Sequence, residues 1–246
     1  MIELKTFLER CYLVNLTRRS DRWEKIQRDI IPSWPLASIE RWPAIDGRLA
    51  IPPTWWKAGK GAWGVYRSHT GIVEKCLNEG VKSVLILEDD AALCDDFATK
   101  VELFLAAVPD DWDMIYLGGQ LLRQEQQPPR KINQHVYQAF NINRCHAMAV
   151  SAKGMPAVYR WLYPAKWQMH SKKGKRKESQ DHIDHHLGHF HALPTSRIYV
   201  PAQWLIGQDS GQSNICGKRL DRRFWQSAAT KDTPQKFTSA SATAEM

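Results

Sequence analysis

At 246 residues, 43% hydrophobic and 24% charged, the chain has the size and composition of a soluble globular protein with one substantial α/β domain. A formal net charge of +8 favours an anionic partner: a nucleotide, nucleic acid, a phosphorylated glycan or an acidic membrane surface. Five scattered, unpaired-looking Cys argue against a disulfide framework or zinc module, no export signal is visible, and no apolar run approaches the roughly 20 residues that span a bilayer, so the expected setting is cytoplasmic or peripheral at the inner membrane face.

Residues 11–16 form an apolar run ending in a polar turn, and Ser20 or Asp21 can cap a helix through Trp23, Ile26 and Ile30. Residues 31–60 are rich in Pro and Trp; Ala44-Ile45-Asp46-Gly47 reads as a strand end and turn, followed by a long irregular stretch near the site. From Gly64, the positions Val65, Ile72, Val73, Cys76 and Leu77 predict a helix of about four turns. The aliphatic run Val84-Leu85-Ile86-Leu87 has the character of a strand buried on both faces, and it runs straight into Glu88-Asp89-Asp90. Asp95 or Asp96 is expected to cap a helix bearing Phe97, Val101, Phe104, Leu105 and Val108, and residues 114–117 follow as a strand before Gly118-Gly119. Further on come a strand at 147–150, a helix at 156–162, and a basic loop at 166–177 that contains no acidic residue. Residues 1–226 are expected to form a single catalytic domain, and 227–246, poor in apolar residues, a flexible tail.

This alternation predicts an α/β fold with a mainly parallel central sheet flanked by helices, and a ligand site at the carboxyl ends of its strands. The acidic triplet stands at such an end. Three adjacent carboxylates repel one another unless a cation neutralises them, and hard oxygen ligands suit Mn2+ or Mg2+. Arg19 and Arg22, three residues apart after the first strand, suit a diphosphate but equally an ordinary solvated helix turn. His69 lies on the apolar face of its helix and by pattern alone reads as a core histidine. Residues 180–191 are dense in His without matching a zinc spacing; a carboxylate there can instead serve as general base. The 11 Trp suit either core packing or sugar stacking.

In combination the motifs resemble glycosyltransferase family 25. The resemblance rests on Tyr12 to Leu16 with Arg18 to Trp23, on Ala44 to Gly47, on Gly61 and Gly64 with Ser68-His69, and on Val84 to Asp90. Weaker echoes follow at Asp113 to Gly118, at Ile183-Asp184, and at Gln208 with Ser213-Asn214-Ile215. It implies a GT-A-like nucleotide-diphospho-sugar transferase fold and metal-dependent, inverting transfer of a hexose, galactose or glucose, from a UDP-sugar to a saccharide acceptor such as a lipopolysaccharide-type glycan. By carry-over Glu88 and Asp90 hold the metal, while Asn15, Arg19, Arg22, Asp46, Ser68, His69 and Asp89 bind the donor. Asp184 is the expected base, with Asp181 in reserve. The basic loop lies outside the family pattern, and with the net charge it leaves room for transfer to a modified base in DNA or to a phosphorylated glycan. A non-catalytic nucleotide-sugar-binding module is the alternative of another class.

Overall fold

Alternate side chains of the central strands pack into two separate cores, one on each face of a sheet, as the period-2 geometry of a strand requires. The computed structural model describes residues 4–163, 182–212 and 217–229. Its strands are β1 (Arg10–Asn15), β2 (Ile39–Pro43), β3 (Ser83–Glu88), β4 (Ala91–Leu93), β5 (Met114–Leu121), β6 (Arg130–Lys131), β7 (Val136–Gln138), β8 (Ile142–Ser151), β9 (Ile198–Pro201), β10 (Ile206–Gln208), β11 (Gly211–Gln212) and β12 (Arg219–Leu220). The helices are α1 (Leu4–Phe7), α2 (Ser20–Asp29), α3 (Lys60–Asn78), α4 (Phe97–Ala107), α5 (Met155–Leu162) and α6 (Ile183–His191). Tyr12, Val14, Val84, Ile86 and Tyr116 meet Ile72, Val158 and Leu187 of α3, α5 and α6 on one face. Cys11, Leu13, Leu85, Leu87 and Leu117 meet Ile26 of α2 and Val101, Phe104 and Leu105 of α4 on the other. A strand covered on both faces must be apolar throughout, which is why residues 84–87 read as an unbroken aliphatic run.

The main sheet has eight strands in the order β2-β1-β3-β8-β5-β9-β7-β6. β1 pairs in parallel with both β2 and β3, and β5 with β9, whereas β8 lies antiparallel between β3 and β5. The α/β class and the flanking helices match expectation. The parallel character holds by strand direction, because β7 and β8 alone run against the rest, but most neighbour pairings are antiparallel on account of those two strands. Reversing β8 brings its start to the edge of the sheet where β1, β2 and β3 end, so four strands feed one rim.

Local differences are informative. α3 begins at Lys60, earlier than the apolar spacing indicates, and β2 ends at Pro43, directly before the strand end and turn read at 44–47. Neither expected carboxylate cap forms: Arg19 precedes α2 and Asp96, at φ 56°, precedes α4, each without a side-chain capping bond. Asp21 is instead held by the Arg19 guanidinium at 2.8 Å, which removes it from capping duty.

Candidate functional site

Strand β3 delivers Glu88 to the rim, and the turn after it carries Asp89 and Asp90. They line a cavity of about 520 Å3 whose other walls include Arg22, Asp46, Ser68, His69, Asn143 to Cys145, His182 to His185, and Gln208. Eight residues expected at the site therefore share one cavity: Arg22, Asp46, Ser68, His69, Glu88, Asp89, Asp90 and Asp184. Asn15 and Arg19 do not line it. Asn15 is fully buried behind the triplet, donating from Nδ2 to Asp89 Oδ2 at 2.7 Å and accepting at Oδ1 from Arg41. It aims Asp89 rather than facing the cavity. Asp181, the basic loop at 166–177 and Ser213-Asn214-Ile215 lie outside the described residues, as does all but the start of the expected tail.

The three acids are not equivalent. Asp89 is spoken for, since Arg22 Nη1 and Asn15 Nδ2 each occupy one of its oxygens. Burial still pushes its carboxyl up, with Arg22 opposing. Asp90 is raised by burial too, against the pull of Arg22 and of Gln208, whose Nε2 reaches both Asp90 oxygens at 3.2 and 3.3 Å. Pairing of β4 with β10 puts Gln208 opposite Ala91 and so beside Asp90. Among the described residues Glu88 has no cationic partner at hydrogen-bonding range; burial, then the charges of Asp90, Asp89 and Asp184, push it up to about 8. Two carboxylates of this triplet are thus short of positive charge.

His69 is fully buried, yet it borders the cavity, so the core reading and the site reading are both met. Nδ1 lies 2.9 Å from Val65 O, and we assign the ring proton there. Nε2 lies 3.4 Å from Cys145 O and 3.7 Å from Glu88 Oε1, so both ring nitrogens face acceptors, and burial lowers the imidazole's basicity. Ser68 spends its proton on Gly64 O at 2.7 Å and accepts from Ile45 N at 2.9 Å, tying the 44–47 turn to α3. Close approach makes this joint depend on glycine: a β carbon on Gly64 would stand 2.3 Å from Ile45 O, and one on Gly47 2.1 Å from Lys60 O. The turn presents Asp46, clasped by Arg48 and Arg18 at 2.7 and 2.8 Å, and the Arg48 guanidinium with that of Arg18 holds its carboxyl well below the usual range.

On the opposite wall, three consecutive residues of β8, Asn143 to Cys145, line the cavity, which a regular strand forbids. A bulge explains it. From Gly118↔Ala147 to Gln120↔Asn143, β8 advances further than β5, and Arg144 adopts φ 75°. Asn143 Oδ1 and Asp184 Oδ2 both accept from Arg144 N, at 2.9 and 3.1 Å, while Asp184 Oδ1 accepts from His185 N. Sequence reasoning missed Asn143, Arg144, His182 and His185 as site residues, because nothing in a ten-residue strand pattern marks a bulge. Two more His of this region are structural, while His189 is exposed: His186 contacts Trp161 O, and buried His191, lowered to about 3 by burial, joins Tyr116. The Trp cluster is structural as well, since Trp55, Trp56 and Trp63 pack on one another and on Tyr66.

Residues 57–156 match the family model "Glycosyltransferase family 25 (LPS biosynthesis protein)". The chain is similar to procollagen galactosyltransferase 1 of Danio rerio, 27% identical over 149 residues covering 51% of this chain and 24% of that protein. It is also similar to a glycosyltransferase 25 family member of Drosophila melanogaster, 29% identical over 50% of this chain and 23% of that protein. A third relative, 25% identical over 50% of this chain and 24% of that protein, is a probable inactive glycosyltransferase 25 family member 3 of Bos taurus. The match thus spans about a quarter of the length of these relatives. Among solved structures, apo mouse xyloside xylosyltransferase 1 aligns with a TM-score of 0.42 at 10% identity, over 78% of this chain and 76% of that one. No helix among the described residues is long and apolar enough to cross a membrane. Over residues 57–156, the chain is similar to glycosyltransferase family 25.

Proposed function

We propose that this chain is a metal-dependent, inverting glycosyltransferase that moves a hexose, galactose or glucose, from a UDP-sugar to a hydroxyl of a saccharide acceptor such as a lipopolysaccharide-type glycan. The observation that carries the proposal is the shared cavity: charge-deficient Glu88 and Asp90 at the end of β3 and Asp184 at the start of α6 border the same space. Among the described residues no three His, Cys, Asp or Glu side chains form a metal shell. Two available carboxylates nevertheless fit Mg2+ or Mn2+, because such ions are commonly held by one or two carboxylates with diphosphate oxygens and water completing the shell. Glu88 and Asp90 would hold the ion, which when bound supplies Lewis-acid stabilisation of the departing diphosphate.

The chain's own groups account for the rest. Lys60 and the first turn of α3 face the cavity, so backbone N–H groups and a cation meet the diphosphate. Arg22 keeps Asp89 in place between donor and protein core. Asp184, with each oxygen already oriented by a backbone N–H, takes the proton from the acceptor hydroxyl. As the acceptor hydroxyl oxygen bonds to the anomeric carbon, the bond from that carbon to the diphosphate oxygen breaks, and the electron pair leaves with UDP. A single displacement inverts the anomeric centre.

The test is UDP release and sugar transfer across a panel of UDP-hexoses, with Mn2+, with Mg2+ and with EDTA, using wild type and Asp90→Ala. Turnover that survives both EDTA and the substitution overturns the metal assignment. One observation favours a second reading, a non-catalytic nucleotide-sugar-binding module: similar chains include members named as inactive. UDP binding without turnover, across every donor and a broad acceptor panel, would establish that reading instead.

A further inference from the structure

Two guanidinium groups, one lining the β8 side of the cavity and one close by, form no ion pair among the described residues, and the charge of Arg223 acts on Asp90 only from a distance. Arg144, which lines the cavity, stacks over the Trp225 ring at 5.4 Å, and Arg223 stacks over the same ring at 5.5 Å. Neither forms an ion pair or a side-chain hydrogen bond among the described residues. Every other arginine of the cavity is engaged: Arg18 and Arg48 hold Asp46, and Arg22 holds Asp89. Trp225 itself rests on His146, whose ring centroid is 5.4 Å away and which is fully buried, so the indole is a fixed shelf. The positions of the two arginines are also built in. Arg144 is set by the β8 bulge, and Arg223 exchanges backbone hydrogen bonds of 3.0 and 2.9 Å with Gln208, the residue that touches Asp90.

Placement separates Arg144 from the turn that presents Asp46 and from the start of α3, while Arg223 stands between it and Asp90. Asp46, Arg48 and Lys60 follow β2 or open α3, whereas Arg144 belongs to β8, three strand spacings across the sheet from β2, or about 14 Å. Arg144 N instead bonds Asp184, the residue assigned to the acceptor hydroxyl. Guanidiniums set over an indole at cation–π range leave N–H groups available, and two of them with no ion pair among the described residues offer a receptor for a carboxylate or phosphate.

We propose that Arg144 and Arg223, held on Trp225, form an acceptor subsite that selects a saccharide bearing an anionic group near the hydroxyl to be glycosylated. This rests on the transferase reading only for the word acceptor; the anion receptor stands on its own geometry. The probes are galacturonate, galactose 6-phosphate and neutral galactose, titrated by ligand-observed NMR against wild type, Arg144→Gln, Arg223→Gln and Trp225→Leu, with UDP as a separate arm and a thermal melt to confirm folding. Wild type is expected to bind at least one anionic sugar about tenfold tighter than galactose. Each arginine variant should lose about tenfold in that affinity, the magnitude of one charge-assisted hydrogen bond, with UDP affinity unchanged. The tighter of the two anionic sugars identifies the group selected, and Trp225→Leu should weaken it as well. Anionic sugars that bind no better than galactose overturn the proposal, as do arginine variants that lose UDP affinity and keep galacturonate, since the pair would then serve the donor diphosphate. Wild type that fails to bind UDP while its anionic-sugar affinity still depends on both arginines would defeat the transferase reading and leave the receptor standing.

Discussion

The two walls of the cavity are built in different ways. One comes from short, locally coherent pieces: the contiguous triplet 88–90 after β3, the 44–48 turn after β2, and the first turns of α3. The other is gathered from distant segments, with the β8 bulge supplying 143–145, the start of α6 supplying 182–185, and Gln208 and Leu220 arriving from near the carboxyl end. Local pieces carry the groups proposed for donor and metal, and the assembled wall carries those proposed for the acceptor. A chain divided this way can vary much of its acceptor wall while keeping the triplet and the turn, because the two walls meet at few points, chiefly Gln208 against Asp90.

Substitutions can break or sharpen this division. The largest effect is expected at Asp184→Asn, where removal of the base should cut turnover by roughly 10²- to 10⁴-fold with UDP affinity unchanged, measured as initial rates beside a UDP titration. Unaltered turnover would move the base elsewhere. On the other wall, Arg22→Ala strips the ion pair from Asp89, whose side chain is 10% exposed. Breaking such a nearly buried pair costs on the order of 3 kcal/mol, and a thermal melt should fall by roughly 6 to 12 °C.

Gly64→Ala tests the joint between turn and helix. Its β carbon, 2.3 Å from the Ile45 carbonyl, forces one of them to move. A loss of about 1–3 kcal/mol in urea denaturation is expected, with weaker UDP binding as Asp46 shifts and galacturonate binding untouched. A separate test is the pH dependence contributed by Glu88. Its folded-state pKa of about 8 lies above its ordinary 4.5, so between these values the folded chain holds a proton that the unfolded chain has lost. The associated stability is fully present below about 4.5 and is lost as pH rises through about 8. Urea midpoints at pH 5, 7 and 9 should decline less steeply in Glu88→Gln than in wild type, and a parallel decline would place the titration on another group.

How much was legible follows the same division. The strand at 84–87, the acids behind it, the helix through Ile72 and the alternation toward an α/β sheet are all visible as local patterns, because apolar periodicity records which faces are buried. The caps expected from Ser20, Asp21, Asp95 and Asp96 did not form, because side-chain competition such as Arg19 with Asp21 is invisible to a propensity argument. Asn15 was expected in the donor pocket and lies behind it, since a motif marks that a residue matters but not which way it points.

By itself the sequence determined where charge and apolar surface stand along the chain: a buried strand ending in three carboxylates, and helices spaced to cover it. Tertiary structure decided which of those carboxylates are left short of positive charge, that β8 runs against its neighbours, and that a bulge in it turns Arg144 toward Asp184. The physical reason is range. Burial patterns are written in neighbours three or four residues apart, whereas ion pairing, strand direction and a cavity wall depend on groups brought together from more than a hundred residues away, as Gln208 is to Asp90.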